Sequence, residues 1–378
     1  MNILMLNYEF PPIGGGAANA HFHILKEYTA VKNLKVDVLT SAPKPGLVSE
    51  QFDENIRIIK VGIHKKNLHY WTKLEVIEWL FKARRYYRQL LKKNSYDLVH
   101  AFFGFPTGWL CYKTADKIPY IISLRGSDVP GYNVRLGLDY KILAPLFKKI
   151  WSSAALVVAN SKGLKQLANE FMPALEISVI PNGVDTERFH PRNDRTIRRP
   201  VKLLTVSRLI KRKRINLLME ALKKLRENNI EAELNIAGEG ALMQDLKTCA
   251  SQIGIAEYVN FLARVESERM PAVYRDNDFF VMSSEHEGMC NAMLEAMASG
   301  LPIVTTPCEG VEELITDNGI VVERSTAESI AEAVKKLAHE PQRYNEMSLA
   351  AREKSQQFSW KKVADKYLLF YEGLTHSN

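Results

Sequence analysis

Two glutamates, Glu287 and Glu295, have seven residues between them in the stretch EHEGMCNAMLEAMASG, which covers residues 285–300. Glu287 stands in a glycine-containing loop, and Glu295 lies inside a predicted helix that begins near 290–291. The first turn of a helix offers backbone N–H groups and the positive end of the helix dipole, which bind anions and sugar oxygens. Carboxylates on both sides of such a turn suit a ligand with hydroxyl groups at each end and phosphate between them.

Each glutamate taken singly also fits an ordinary surface charge, since most glutamates in proteins are exposed. For Glu295 the run AMLEAMASG argues against this, because a helix of small, apolar residues is a costly place for a charge without a partner. Glu295 lies one turn after Asn291 on the same helix face. Gly288 lets a ligand approach the backbone closely.

Cations follow the apolar run VKLLTVS (201–207). Arg208 comes directly after it, and Lys213 comes five residues later, within the basic cluster KRKR (211–214). A solvated basic loop is the alternative. Ligands of open parallel sheets bind beyond the carboxyl ends of the strands, so this is where a developing negative charge would need fixed cations.

The first half of the chain carries a glycine-rich loop, PPIGGGAANAHF (11–22), directly after its first strand. It matches neither the dinucleotide fingerprint nor the P-loop, because no later glycine or G-K-S/T follows. A hinge or tight turn and a phosphate-binding loop at Gly15 and Gly16 both remain open. His21 and His23 point to different helix faces, which argues against a metal site.

The chain alternates short, continuously apolar runs with amphipathic segments, as expected for parallel strands covered by helices on both faces. The segment 181–200 has three prolines and mixed charges and is predicted to be a linker. The predicted fold class is therefore α/β, with two doubly wound units. Strands are predicted at residues 2–7, 36–40, 56–61, 97–102, 120–124, 155–160, 176–180, 201–207, 232–238, 258–262, 278–284, 301–306 and 319–323.

The composition is that of a globular protein: 378 residues, 46% hydrophobic and 25% charged, with a net charge of +8. Residues 1–193 hold 26 Lys and Arg against 16 Asp and Glu, so all excess positive charge lies there. This asymmetry favours a polyanionic partner. A nucleic acid is disfavoured, because no helix-turn-helix, aromatic RNP run or zinc motif accompanies the charge.

Four scattered cysteines without C-x-x-C spacing argue against a zinc or disulfide framework. The first residues, MNILMLNYEF, lack the features of a signal peptide, and no apolar run approaches the length of a spanning helix. A cytoplasmic location is therefore expected.

The stretch EGMCNAMLEAMASGLPIV resembles the E-x7-E signature of glycosyltransferase family 4, retaining enzymes of the GT-B fold. Met289 and Cys290 are mild departures from that signature. The resemblance spans most of the chain and is strongest from 180 to 315. It implies two Rossmann-like domains facing across a cleft: 1–185, binding the acceptor and carrying the terminal helix 358–378, and 195–357, binding the nucleotide-sugar.

The resemblance also implies roles for residues. Glu287 would contact the donor sugar, the amides of 288–291 would hold sugar and phosphate, and Glu295 would take the ribose hydroxyls. SRLIKRKR (207–214) is similar to the family's G-R-L-x-x-x-K-G, so that Arg208 and Lys213 would clamp the diphosphate. The full set of catalytic and donor-binding candidates is Glu287, Arg208, Lys213, Gly15, Gly16, Arg125, Gly238, Arg264, Val265, Gly288, Met289, Cys290, Asn291 and Glu295.

Arg125 stands in SLRGSDVPGY (123–132) where the family usually has histidine. A guanidinium cannot serve as a general base, but it could hold phosphate or the acceptor. His100, at the end of another predicted strand, fits a packed histidine better than a catalytic one. No Asp-x-Asp motif is found, and a pair of protein cations can replace Mg²⁺, so activity without a metal or other cofactor is expected.

The predicted helix over 74–94 has one apolar stripe (Leu80, Ala83, Tyr87, Leu90) and one basic stripe (Arg84, Arg88, Lys92). It fits either a solvated charged face or a helix on an anionic membrane surface, with Trp71, Trp79, Tyr86 and Tyr87 at the interface.

The leading hypothesis is a retaining transferase that moves a hexose-type sugar from a nucleoside diphosphate, a UDP-sugar in the first instance. Its acceptor would be a saccharide or lipid-linked saccharide of cell-surface polysaccharide or lipopolysaccharide synthesis. Departure and attack on the same face are favoured over a double displacement. The alternatives are a nucleotide-sugar 2-epimerase of the same fold and a non-catalytic two-lobed solute-binding protein.

Overall fold

A computed structural model describes residues 1–68, 70–133, 136–194 and 196–376. The chain forms two compact units. Unit 1 contains Met1–Asn182 together with Trp360–Asn378, and unit 2 contains Gly183–Ser359.

Unit 1 is built on an eight-stranded sheet in the order β3-β4-β2-β1-β5-β6-β7-β8. All neighbouring strands are parallel except the β3/β4 pair at one edge. The strands are β1 (Asn2–Leu6), β2 (Lys35–Ala42), β3 (Gly46–Asp53), β4 (Ile56–Gly62), β5 (Leu98–Phe102), β6 (Tyr120–Leu124), β7 (Leu156–Ala159) and β8 (Ile177–Val179). The helices are α1 (Gly16–Tyr28), α2 (Lys73–Lys93), α3 (Thr107–Tyr112), α4 (Gly137–Ser152), α5 (Lys162–Phe171) and α13 (Trp360–His376).

Unit 2 has a six-stranded, fully parallel sheet in the order β11-β10-β9-β12-β13-β14. Its strands are β9 (Val201–Val206), β10 (Ala232–Ala237), β11 (Val259–Ala263), β12 (Phe279–Met282), β13 (Ile303–Thr305) and β14 (Gly319–Val321). Its helices are α6 (Ile215–Glu227), α7 (Met243–Gln252), α8 (Met270–Arg275), α9 (Asn291–Ala298), α10 (Val311–Leu314), α11 (Ala327–His339) and α12 (Pro341–Ser355).

The strand order of unit 2 is that of the Rossmann fold, with the direction of winding reversing between β9 and β12. Open α/β sheets bind ligands beyond the carboxyl ends of the strands at such a reversal. Arg208 follows β9, and Glu287 follows β12. The topology thus places both candidates at the expected binding edge. In unit 1 the reversal lies between β1 and β5, and the glycine-rich loop follows β1.

The apolar runs formed the predicted strands because both faces of each sheet are covered. Every residue of β5 and β6 is buried, as is every residue of β12. The two-domain α/β prediction is confirmed. Several elements were not predicted, among them the short helices α3, α8 and α10. Two of them have a clear reason: β3 is an edge strand with no buried residue, and α12 has the sequence PQRYNEMSLAAREKS, which shows little apolar periodicity.

The predicted linker has no helix or strand in 181–194 and 196–200. Two of its arginines bind Asp278, a buried residue that precedes β12. Arg192 donates to Asp278 Oδ1 at 2.8 Å and Arg198 at 3.1 Å, while the backbone N–H of Lys202 donates to Oδ2. A buried carboxylate with three donors holds the segment in one path.

The terminal helix α13 belongs to unit 1, where it packs against α1. The Tyr371 hydroxyl lies 2.6 Å from His100 Nδ1, and Ser123 Oγ lies 2.7 Å from His100 Nε2 and 2.8 Å from the Tyr367 hydroxyl. These buried hydrogen bonds join α13 to β5 and β6. His100 is therefore a packed strand histidine, as expected, and burial lowers its pKa well below the ordinary value.

The prediction for the aromatic residues of helix α2 was wrong in part. Trp79 and Tyr87 are buried in the core of unit 1, at 0% and 1% exposure, so they cannot contact a membrane. Trp71 and Tyr86 are half-buried and pack on the same core.

Candidate active site of unit 2

Lys213 and Glu287 form a buried ion pair, with Lys213 Nζ in contact with Glu287 Oε1. Both residues are at least nine-tenths buried. They come from opposite sides of the sheet's reversal point, Lys213 from the loop after β9 and Glu287 from the loop after β12. A buried pair of this kind persists only because each charge compensates the other.

Side-chain and backbone hydrogen bonds join the two loops. Ser283 Oγ donates to the carbonyl oxygen of Lys213 at 2.8 Å, and the Glu285 N–H donates to the carbonyl oxygen of Arg212 at 2.9 Å. Ser284 Oγ donates to Glu287 Oε1 at 3.0 Å. Arg214 has a left-handed backbone with φ 48°, which explains why the family pattern has glycine at this position. The ion pair is therefore held by a rigid frame.

Besides its partner Glu287, Lys213 has two arginines within electrostatic reach. Burial lowers the pKa of Lys213 to about 8, and the neighbouring Arg212 and Arg208 act in the same direction. Arg208 is exposed at the edge of the sheet. Arg208 and Arg212 repel the Lys213 ammonium group, and an anion bound between these cations would relieve the repulsion.

The loop 288–291 leads from Glu287 into α9. Met289 is buried in the core of unit 2 together with Met293. Cys290 is the N-cap of α9, no side chain caps this helix, and no acidic residue lies in its first turn. Burial raises the pKa of the Cys290 thiol, Lys213 lowers it and Glu295 raises it. Lys213 and Glu295 are thus both within electrostatic reach of Cys290.

Glu295 is half-buried on α9, and its Oε2 accepts a hydrogen bond from the Tyr274 hydroxyl at 2.8 Å. Burial raises the pKa of Glu295 to about 7, while Tyr274 and the more distant Arg188 lower it in part. Among the residues described, Glu295 has no salt bridge within 4.0 Å. Hydrogen-bond donors from a ligand would stabilise the ionised form of this carboxyl.

Gly238 and Gly240 let the loop after β10 pass directly over the loop after β9. A Cβ atom on Gly238 would lie 1.9 Å from the carbonyl oxygen of Ser207, and one on Gly240 would lie 2.2 Å from that of Leu209. The Gly238 N–H donates to the carbonyl oxygen of Ala263, next to Arg264. Arg264 is exposed, and Val265 packs beside the cluster that contains Met289.

The sequence did not predict the residues that brace Glu287 from the loop after β13. Glu309 Oε2 accepts the Glu287 N–H at 3.1 Å, and Glu309 Oε1 lies 2.8 Å from His286 Nδ1. Gly310 has φ 79°, and a Cβ atom there would lie 2.3 Å from the carbonyl oxygen of Gly288. No spacing in the sequence signals these contacts, because they join loops that follow different strands.

Gly310→Ala is expected to lower the free energy of unfolding by about 2–4 kcal/mol, because it adds a collision with Gly288 to the cost of a left-handed alanine. Gly254→Ala is the matched control, since Gly254 has φ 76° and nothing within 4 Å of its Cβ position. The control should lose only about 1–2 kcal/mol. Urea denaturation measures both variants, and equal losses would show that the Gly288 contact is easily relieved.

The structure brings the unit 2 candidates together at one edge of one sheet. Gly15, Gly16 and Arg125 belong to unit 1. Gly15 is the N-cap of α1 and Gly16 its first residue, and both are exposed.

Arg125 has structural partners that the sequence did not predict. Its Nη1 donates to Asn182 Oδ1 at 3.0 Å, its Nη2 lies 3.5 Å from the Tyr367 hydroxyl, and the guanidinium lies 4.5 Å from the centre of the Phe102 ring. The His21 ring stacks on the Phe102 ring, with 4.3 Å between the ring centres. Burial lowers the pKa of His21 to about 3, with Arg125 acting in the same direction.

His23 stacks on Trp360 instead, so the two histidines of α1 do point to different faces. Within the part of the chain that the structure describes, no group of His, Cys, Asp and Glu side chains is arranged to hold a metal ion.

Two Rossmann-like sheets, one in each unit, are the architecture of the GT-B fold. The model of glycosyltransferase family 4 matches residues 14–188, and that of the group 1 glycosyl transferases matches residues 188–354. The two matches adjoin near the boundary between the units. Together the two matches cover residues 14–354, so the chain is similar to glycosyltransferases over most of its length, with a family 4 match in its first half and a group 1 match in its second.

One named relative is a mannosyltransferase, and two solved structures share the fold. The GDP-mannose-dependent alpha-(1-6)-phosphatidylinositol monomannoside mannosyltransferase of Mycolicibacterium smegmatis is 32% identical over 224 residues, covering 54% of this chain and 58% of that protein. Sucrose-phosphate synthase from Thermosynechococcus elongatus superposes with a TM-score of 0.81 at 18% identity, covering 100% of both chains. HepE of Anabaena, in complex with UDP and glucose, superposes with a TM-score of 0.74 at 18% identity, covering 99% and 100%.

Proposed function

We propose that the chain is a retaining glycosyltransferase that transfers a hexose from a nucleoside diphosphate to a saccharide or lipid-linked saccharide. The observation that carries the proposal is the buried contact between Lys213 and Glu287 at the reversal of the unit 2 sheet. Glu295 with its raised pKa, on the helix that follows, supplies the second carboxylate.

In this structure Lys213 and Glu287 neutralise each other. A nucleotide-sugar carries both an anion and sugar hydroxyls, so it can satisfy each partner separately. Lys213, together with Arg208, would then hold the diphosphate, while Glu287 accepts hydrogen bonds from the sugar and Glu295 accepts them from the ribose. Binding would replace one internal ion pair by several charge-assisted hydrogen bonds.

Transfer breaks the bond between the anomeric carbon and the diphosphate oxygen, and negative charge grows on that oxygen. Arg208 and Lys213 are fixed cations that would stabilise this charge. The acceptor hydroxyl would attack from the same face and give its proton to the departing phosphate. The configuration at the anomeric carbon is then retained without a covalent enzyme intermediate.

A UDP-sugar is the proposed donor. The alternative donor is GDP-mannose, which is named for the mycobacterial relative. The loop amides of 288–291, with Gly238, Arg264 and Val265, are the proposed contacts of the donor in unit 2. Gly15, Gly16 and Arg125 are the proposed contacts from unit 1. Because two cations would lie at the diphosphate, we expect activity without a metal. Transfer should therefore continue in the presence of EDTA.

The proposed pathway is the synthesis of a cell-surface polysaccharide or lipopolysaccharide, at the cytoplasmic side of a membrane where activated sugars are made. Contact with the membrane would be peripheral and would run through residues 74–94. In the described part of the chain, none of the helices has the length and apolar character needed to span a bilayer.

A thermal-shift panel of UDP, GDP, ADP and their sugars tests the donor site. A ligand at 100 times its Kd stabilises by about 2.7 kcal/mol, which is readily measured. The cognate nucleotide should stabilise the chain, and incubation of its sugar with candidate acceptors should yield a product with retained anomeric configuration. Failure of every nucleotide would overturn the proposal, and release of a free 2-epimer without acceptor would identify an epimerase instead.

A further inference from the structure

The solvent-facing side of α2 is apolar in its first half and basic in its second. Leu74, Ile77 and Phe81 are spaced three and four residues apart and are 77%, 46% and 70% exposed. Such spacing places them on one helix face. The same face continues with Arg85, Arg88 and Lys92, all of them exposed.

Helix α4 extends the apolar surface. Leu138 and Ile142, one turn apart, are 72% and 69% exposed. Lys73 Nζ donates to Asp139 Oδ1 at 2.8 Å, so an ion pair joins the first turns of α2 and α4. We call the surface formed by Leu74, Ile77, Phe81, Leu138 and Ile142 the α2–α4 patch.

Single exposed apolar residues are common, but five large ones on two adjoining helices are a feature of interaction sites. The charge around the patch is positive. Helix α2 holds seven basic and two acidic residues, and α4 holds three basic and one acidic. All three acidic residues are already paired: Glu75 with Lys65, Glu78 with Lys82, and Asp139 with Lys73. The uncompensated charge is therefore cationic.

We propose that the α2–α4 patch docks on an anionic lipid surface. The five apolar side chains would enter the boundary between headgroups and acyl chains, and Arg85, Arg88 and Lys92 would lie over anionic headgroups. This deepens the proposed function by naming the surface at which a lipid-linked acceptor would be met. It differs from a purely electrostatic contact, because the apolar contribution is not screened by salt.

Co-sedimentation of the full chain with vesicles tests the proposal, using phosphatidylcholine alone and phosphatidylcholine mixed with phosphatidylglycerol. The wild type should bind the anionic vesicles at least about tenfold more tightly than the neutral ones. Leu74→Ser with Phe81→Ser should weaken anionic binding at least about tenfold, because two large apolar side chains no longer insert. The matched control is Leu349→Ser, which removes an exposed leucine of α12 and should leave binding unchanged.

Charge is tested by Arg85→Gln with Arg88→Gln, which should weaken anionic binding roughly tenfold or more at low salt and have less effect at high salt. Weak binding of the wild type to anionic vesicles, or equal binding by the wild type and the apolar variant, would overturn the proposal. Sedimentation-velocity evidence for a dimer that the apolar variant abolishes would assign the patch to a second copy and overturn it as well. Stabilisation by the cognate nucleotide should be the same in all variants, so that membrane docking and donor binding can fail independently.

Discussion

Lys213→Met is expected to lower kcat for sugar transfer about 100- to 1000-fold, the cost of removing one fixed charge-stabilising donor from a comparable site. The side chain is the buried cation at the sheet reversal, and methionine keeps its length without its charge. The steady-state rate with the donor found in the nucleotide panel measures the effect. Lys211→Met is the control, since it removes an exposed lysine from the same turn and should leave kcat unchanged.

The same substitution leaves the Glu287 carboxylate buried without its partner. Breaking a buried pair from one side costs about 3–5 kcal/mol, so Lys213→Met should also unfold at lower denaturant concentration. Adding Glu287→Gln removes the orphaned charge and should restore much of the stability but none of the activity. A folded Lys213→Met variant with nearly wild-type kcat would contradict the assigned role, whatever its stability.

Glu295→Gln is expected to weaken donor binding and to raise the free energy of unfolding measured without a nucleotide. A glutamine cannot offer two anionic acceptors to the ribose hydroxyls, so the Kd of the nucleotide-sugar should rise roughly 30- to 150-fold, or about 2–3 kcal/mol. Isothermal titration measures this change. Glu353→Gln, which alters an exposed glutamate of α12, should leave the Kd unchanged.

The stability effect depends on pH. Because the pKa of Glu295 is raised to about 7 in the folded protein, the folded state holds a proton that the unfolded chain releases near pH 4.5. Its contribution to stability is complete below pH 4.5 and is lost as the pH rises through 7. Glutamine has no such loss, so Glu295→Gln should be more stable than the wild type by about 1–3 kcal/mol at pH 8 and nearly equal to it at pH 4.5.

Donor binding should show the reverse trend, since the ribose hydroxyls prefer the carboxylate. The wild-type Kd for the nucleotide-sugar should fall between pH 6 and pH 8, and this slope should disappear in Glu295→Gln. A variant that keeps the wild-type pH slope of the Kd would show that Glu295 does not face the ligand. A variant that loses stability at pH 8 would contradict the raised pKa of Glu295.

The sequence was sufficient to place Arg208, Lys213 and Glu287 at one edge because all three follow strands that were predicted to be parallel. Continuous apolar runs mark strands covered on both faces, and residues directly after such strands meet at one end of a parallel sheet. The predicted start of α9 agrees with the structure because Gly288 precedes a run of small and apolar residues, which is typical of a buried helix.

Contacts between loops of different strands were beyond prediction. Tyr274 donates to Glu295 from α8, and Glu309 accepts from Glu287 after β13, at sequence separations of 21 and 22. Neither follows from periodicity. The direct contact of Lys213 with Glu287 also depends on packing, since spacing alone allows both side chains to face solvent. Arg125 was predicted as a ligand contact. Its hydrogen bonds to Asn182 and to Tyr367 of α13 could not be predicted, because these residues lie 57 and 242 positions away in the sequence.

The structure of the chain with its cognate nucleoside diphosphate tests the central claim most directly. The account predicts phosphate oxygens within hydrogen-bond distance of Arg208 and Lys213, with the Lys213–Glu287 contact opened and both ribose hydroxyls on the Glu295 carboxylate. A diphosphate bound elsewhere, with Lys213 still paired to Glu287, would contradict it.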